Sequence, residues 1–200
     1  MPAPKVHGLA ICAVLVSSGF VLAQTALPPG AVSLVNQDRF GSRVALCAET
    51  GDPEVREGPR VIRPTAVWMG EPSRLQKLEA GKGACDPAWS PDGRRLAVTA
   101  ADGLWLFTTT SPEGLLRVES RIPFGASTEF NYRAFSQPRW SPDGVLVALL
   151  VSNGGTSWVE VFEMRSGRLF YTSPPEHDTF SWNNARVLKL GKTEIRLPTR

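Results

Sequence analysis

The pentapeptide Trp-Ser-Pro-Asp-Gly stands at Trp89–Gly93 and again, unchanged, at Trp140–Gly144, 51 residues further along a chain of 200. The likeness runs on past the motif: WSPDGRRLAVTAADG in the first copy, WSPDGVLVALLVSNG in the second. In each, a turn leads into a mostly apolar run, then a second turn rich in Gly, Asp or Asn, then another run, LWLFTTT from Leu104 and WVEVFEM from Trp158. Strand, turn, strand and turn at a fixed period is the signature of a repeated antiparallel unit.

The motif letters follow from turn chemistry. Pro91 and Pro142 pre-set φ at the second turn position, Asp92 and Asp143 suit the third, and Gly93 and Gly144 supply the left-handed φ of a type I turn with a G1 bulge. These six residues are therefore read as structural. A calcium role fails on oxygen count, since one carboxylate per repeat is far short of the six to eight ligands the ion takes. No metal or cofactor is expected.

Two weaker copies extend the array. QDRFGSRVALCAETG from Gln37 sets Gly41 on the turn glycine, and FSWNNARVLKL from Phe180 sets Phe180 on the Trp position and Asn184 on the glycine. Four units result, at about 37–79, 86–120, 138–172 and 178–200, after a segment 24–36.

Residues 1–23, MPAPKVHGLAICAVLVSSGFVLA, carry one lysine, an apolar run from Leu9 to Ala23 and a Val-Leu-Ala ending. This reads as a cleavable secretory leader, too short for a spanning helix of about 20 residues. Its loss takes Lys5 and leaves 21 basic against 19 acidic residues, with no stretch that concentrates Lys and Arg. Neither nucleic acid nor a membrane surface is indicated. Cys47 and Cys85 remain, an even pair in an oxidising compartment, either bonded or buried as thiols.

Tandem W-S-P-D-G-x-x-L/V-A units behind a leader resemble the WD-related β-propeller repeats of the TolB family, proteins of the bacterial periplasm; the same unit also occurs in propellers attached to peptidases. The resemblance implies an all-β propeller with strands a to d in each blade; the repeat count gives four blade-like units, fewer than such propellers usually have, and the chain is expected to be periplasmic or secreted and to act as a non-enzymatic binding or scaffolding module with a protein or cell-envelope partner. The fourth unit runs out before a d strand. Either Ala31 to Val35 supplies it and closes a monomeric ring, or that segment is the a strand of the first blade and the open edge is completed by a second copy or a partner.

Catalytic constellations are nearly absent from the sequence: it has no G-x-S-x-G, H-E-x-x-H, C-x-x-C or phosphate loop. No catalytic residue is assigned; the enzyme alternative is a small propeller hydrolase or lyase using His177, read as an exposed loop residue, with neighbouring carboxylates. The insertions are more informative, because the a-b and c-d turns are short while two long loops fall on the opposite face. Glu49 to Arg60, which contains Arg56, has two prolines and is expected to order little by itself. Arg121 to Gln137 carries Phe124, Phe130, Tyr132 and Phe135 beside Arg133. These aromatics either fold back onto the core or form a recognition surface with Arg56, Arg133 and His177. Both cysteines tend toward this face, which favours a bond between them.

Overall fold

The computed structural model describes residues 27–57, 60–109, 116–123, 133–153 and 155–198; the segment expected to be a leader and the insertion aromatics Phe124, Phe130 and Tyr132 lie outside them. Strands β1 (Ser33–Phe40) and β2 (Arg43–Glu49) form a hairpin. Strands β3 (Val55–Glu57) and β4 (Arg60–Ile62) make a small ribbon within the first long insertion. The first sheet is completed by β5 (Thr65–Glu71) and β6 (Arg74–Lys77), in the order β1-β2-β5-β6.

The second sheet is β7 (Cys85–Trp89), β8 (Arg95–Ala100), β9 (Gly103–Thr109) and β10 (Leu116–Pro123). The third is β11 (Ala134–Trp140), β12 (Leu146–Ser152), β13 (Ser157–Glu163) and β14 (Arg168–Thr172). The fourth, β15 (Phe180–Asn184), β16 (Val187–Leu190) and β17 (Thr193–Arg196), has three strands among the described residues. Each blade is an antiparallel meander drawn from one contiguous stretch of chain, interrupted in the first only by the β3–β4 ribbon between β2 and β5.

Ala31 to Val35 does not close a ring. β1 is committed along its length to β2, from Ser33 opposite Glu49 to Phe40 opposite Arg43, and the Val32 N–H reaches the Glu49 carbonyl at 2.8 Å. The segment is the innermost strand of the first sheet, and the described fourth sheet consists of β15, β16 and β17 without it. The first insertion is also more ordered than its prolines imply, because Val55, Arg56 and Glu57 pair with Ile62, Val61 and Arg60. Ile62 is buried beneath the ribbon, and Glu57 meets Lys82 at 3.2 Å.

The two Ser-Pro-Asp-Gly turns are superimposable in their bonding. In the first, the Gly93 N–H donates to the Ser90 carbonyl at 2.8 Å, the Ser90 hydroxyl donates to Asp92 at 2.6 Å, and the Arg95 N–H donates to the Ser90 hydroxyl oxygen at 2.9 Å. In the second, Gly144, Ser141, Asp143 and Leu146 repeat these contacts at 2.8, 2.6 and 2.9 Å. Gly93 and Gly144 have φ of 64° and 68°, the left-handed region that a side chain disfavours.

Blade packing has a direction. The leading face of the first blade, with Ala45, Cys47, Val67 and Met69, packs against Trp89, Leu96, Val98 and Phe107 of the second. The second blade offers Ala97, Leu104 and Leu106 to Trp140, Val147, Leu149 and Phe162 of the third. The third offers Leu146, Ala148, Val159 and Val161 to Phe180, Leu188, Leu190 and Leu197 of the fourth. Small alanines at 45, 97 and 148 of the central strands let the next sheet approach. The fourth blade has Lys189 at that position, and its leading face, with Ser181, Asn183, Glu194 and Arg196, is exposed and polar.

Register corrects one alignment. Trp89 lies opposite Leu96, Trp140 opposite Val147 and Trp182 opposite Leu188. The Trp140 and Trp182 indoles donate backward to the carbonyls of Ala88 and Arg139, each at 2.9 Å. Trp182, not Phe180, therefore holds the tryptophan position, because Asn184 pairs with Val187 across a tighter turn than Ser-Pro-Asp-Gly makes.

Candidate functional site

The innermost strands β1, β7, β11 and β15 come together around an open cleft of about 550 Å³. Its walls carry polar side chains, among them Asn36, Asp38, Asp86, Gln137, Arg139 and Ser181, between the rings of Trp89, Trp140 and Trp182. Residues of all four blades contribute to it.

Its polar groups form a chain from blade to blade. The Asp86 carboxylate, on β7, accepts from the Asn36 side-chain amide of β1 at 3.0 Å and from the backbone N–H of Gln137 on β11 at 3.1 Å. Asp38 accepts from the backbone N–H of Trp89 at 2.7 Å. These bonds tie the backbones of three blades together at the cleft wall.

The local backbone there is unusual. Asp86 and Gln137 have φ of 48° and 52°, each immediately before a proline, Pro87 or Pro138, and each within an irregularity of strand pairing. Non-glycine residues in this region cost of order 1–3 kcal/mol and persist where surrounding structure over-determines them, commonly at functional sites. In both blades the motif is x-Pro-x-Trp, Asp86-Pro87-Ala88-Trp89 and Gln137-Pro138-Arg139-Trp140. A repeat read from the tryptophan onward misses it; the shared proline two residues upstream was the available signal.

Beside the cleft, Cys47 of β2 and Cys85 of β7 form a disulfide, with Cα atoms 5.0 Å apart. It fastens the first blade to the second at the residue that precedes Asp86.

The loop residues singled out from the sequence separate into two groups. Arg133 pairs with the nearly fully buried Glu160 and lies over the rings of Phe135 and Trp158, each 5.3 Å from the guanidinium carbon. The Trp158 indole donates to the same carboxylate at 3.1 Å, and Phe135 packs on the core between the second and third blades. His177 is half-buried rather than exposed, because its backbone N–H and that of Glu176 both donate to the Ser157 carbonyl, at 3.1 and 2.7 Å. Arg133, Phe135 and His177 thus gather at the start of β13, whereas Arg56 stands exposed on the β3–β4 ribbon of the first blade. The Glu160 partnership joins residues 27 apart and had no sequence signal.

Asp92 is drawn partly out of water, which raises its carboxyl, but the Ser90 hydroxyl, the Arg94 N–H and the guanidinium groups of Arg95 and Arg94 outweigh this and hold it below the ordinary carboxylate value. Among the described residues no group of three His, Cys, Asp or Glu side chains could hold a metal ion, and no helix is long and apolar enough to cross a membrane.

Four sequential blade-like sheets around an axial cleft define a β-propeller fold, similar to the propeller domains of solved peptidases. No family model matches the chain. The uncharacterized peptidase YuxL of Bacillus subtilis (strain 168) is 37% identical over 76 residues, 36% of this chain and 10% of that protein. The Pyrococcus horikoshii acylaminoacyl peptidase superposes with a TM-score of 0.51 at 9% identity, over 78% of this chain and 27% of that one. The β-propeller domain of the Trilobed protease from Pyrococcus furiosus does so at 0.50 and 10%, over 88% and 59%. TolB from Acinetobacter baumannii follows at 0.48 and 14%, over 74% and 34%. The chain therefore spans about a tenth of the curated relative and less than two thirds of each of these three solved structures.

Proposed function

We propose that this chain is a non-enzymatic binding module of the periplasm or cell exterior, and that its ligand enters the axial cleft from the face bearing the b-c and d-a loops. The observation that carries this reading is Asp86. A carboxylate on a left-handed backbone, bonded to blades on both sides, is costly to build and rigidifies a wall of the cleft. With both its oxygens engaged, Asp86 shapes the site, while Gln137, Arg139, Ser181 and the tryptophan faces are the groups a protein or cell-envelope ligand would meet. The leader and the disulfide support export.

In-cell crosslinking of tagged protein, wild type beside Arg139→Ala and Asp86→Ala of matched expression, tests it. A defined partner captured by wild type and lost in both variants is the expected result. Capture that is insensitive to both, or nothing captured at all, overturns it.

A second reading rests on the peptidase names among the similar proteins. On that reading the chain acts in hydrolysis through His177, held at the start of β13. His177→Ala would then abolish activity, whereas a binding module keeps its partner.

A further inference from the structure

Near the start of the outer strand in each of the first three blades the same two residue types recur: Arg74-Leu75 in β6, Arg117-Val118 in β10 and Arg168-Leu169 in β14. Their register is equivalent. The aliphatic residues pair with Gly70, Phe107 and Phe162, which in turn lie opposite Val44, Leu96 and Val147 of the second strands. Each arginine comes after the connection between the third and fourth strands of its blade. All three therefore stand along the outer rim of one face, the face that bears the a-b and c-d turns.

These arginines are exposed, and among the described residues none of them joins an ion pair. Glu163, which lies opposite Arg168, is buried and accepts from the Ser166 hydroxyl. The sheets hold together without these cations, so a guanidinium kept at one register position in three blades is available to a partner. Apolar groups accompany it: Val118 and Leu169 are 42% and 46% exposed, and Val145, in the a-b turn of the third blade, is exposed on the same face. Arg94 and Arg165, also in turns of this face, add two exposed cations. Its exposed acids are Glu71, Asp92 and Asp143, and the last two accept hydrogen bonds within their own turns.

We infer that this rim docks the protein on a membrane surface rich in anionic phosphate headgroups. A guanidinium fork suits phosphate oxygens two at a time, and an exposed aliphatic side chain beside it reaches the boundary between headgroup and acyl chain. Equivalent positions on successive blades form an arc along one rim, which suits an extended surface; a small anion needs cations that converge, and these belong to separate blades. No stretch of the sequence concentrates Lys or Arg, so the repeat rather than local composition assembles the basic surface. The docked face is opposite the one bearing the b-c and d-a loops, and the inference does not depend on the axial cleft.

Flotation of the purified protein with lipid vesicles tests it, using pure phosphatidylcholine and an equal mixture of phosphatidylcholine and phosphatidylglycerol over a range of salt. Wild type runs beside the triple variant Arg74→Gln, Arg117→Gln, Arg168→Gln and the pair Val118→Ser, Leu169→Ser. A control, Arg63→Gln, Lys189→Gln, Lys192→Gln, lowers the net charge equally away from the rim. Circular dichroism and melting confirm that each variant is folded. Wild type and the control should bind only the anionic vesicles, less tightly as salt rises. The arginine variant should lose about tenfold or more in affinity, and the aliphatic pair several-fold. Binding to neither vesicle, an arginine variant as tight as wild type, a control as impaired as the arginine variant, or tighter retention by double-stranded DNA than by the vesicles overturns the inference.

Discussion

Arg95 of the second blade lays its guanidinium 4.8 Å from the ring centre of Trp140 in the third and donates to the Gly144 carbonyl at 2.7 Å. Arg43 of the first blade treats Trp89 and Gly93 of the second in the same way, at 4.6 and 2.7 Å. Each arginine clamps both halves of the next Trp-Ser-Pro-Asp-Gly motif, its ring and its turn. The motif is therefore a docking surface for the preceding blade as well as a turn.

Replacing Arg95 with alanine removes a stacked cation and a charge-assisted hydrogen bond at a half-buried site. A loss of about 2 kcal/mol is expected, visible as a lowered urea midpoint. Arg95→Lys should recover only part of it, because an ammonium cannot lie flat on the indole while reaching the carbonyl. Equal stability of the alanine variant and wild type would show that the clamp is incidental.

Breaking the Cys47–Cys85 bond, which closes 38 residues of chain, should cost about 4 kcal/mol through the freedom returned to the unfolded state. Denaturation of Cys47→Ala, or of wild type with and without reductant, measures this. A midpoint that reductant does not move would show that the bond is absent or without consequence for stability.

The two turn glycines should respond differently to the same change. A Cβ on Gly144 would meet nothing closer than the Arg95 guanidinium at 3.5 Å, so Gly144→Ala carries mainly the left-handed backbone cost of about 1–2 kcal/mol. A Cβ on Gly93 would fall 2.0 Å from the Phe40 ring, so Gly93→Ala adds overpacking of roughly 1–3 kcal/mol. Thermal midpoints of the pair should rank Gly93→Ala clearly lower; the reverse order would mean that Phe40 yields freely.

Acid should loosen the first turn. The folded-state carboxyl of Asp92 titrates lower than in the unfolded chain, so its contribution is complete above the ordinary carboxylate pKa of about 4 and disappears as pH falls through the lower folded value. The side chain is exposed, which keeps the contribution small. Asp92→Asn should flatten that part of the acid limb of stability against pH, without shifting stability near neutrality in a pH-dependent way.

The turns were legible because turn chemistry is local: proline, aspartate and glycine at fixed offsets state their own conformation. Strand order followed from the hairpin spacing for the same reason. The fourth blade was misaligned because its tighter turn changes the count between glycine position and tryptophan, a difference visible only in the pairing of Asn184 with Val187. Asp86 and Gln137 went unnoticed because a non-glycine residue gives no composition cue for a positive φ. Only the bonds that Asp86 makes to two neighbouring blades reveal why that backbone is kept. Arg133 was legible as a chemical type but not as the partner of Glu160, since packing rather than spacing brings them together.

Indoles that reach back and arginines that reach forward make the array polar in the sense that a row of interlocking bricks is polar. An interior blade can be copied and inserted after the first or second, where Arg43 or Arg95 would find a new motif to grip. The fourth blade departs from this pattern, because an exposed Lys189 stands in place of the small alanine. Lineages that lengthen the array by duplication should therefore copy the blades that keep the alanine and its arginine.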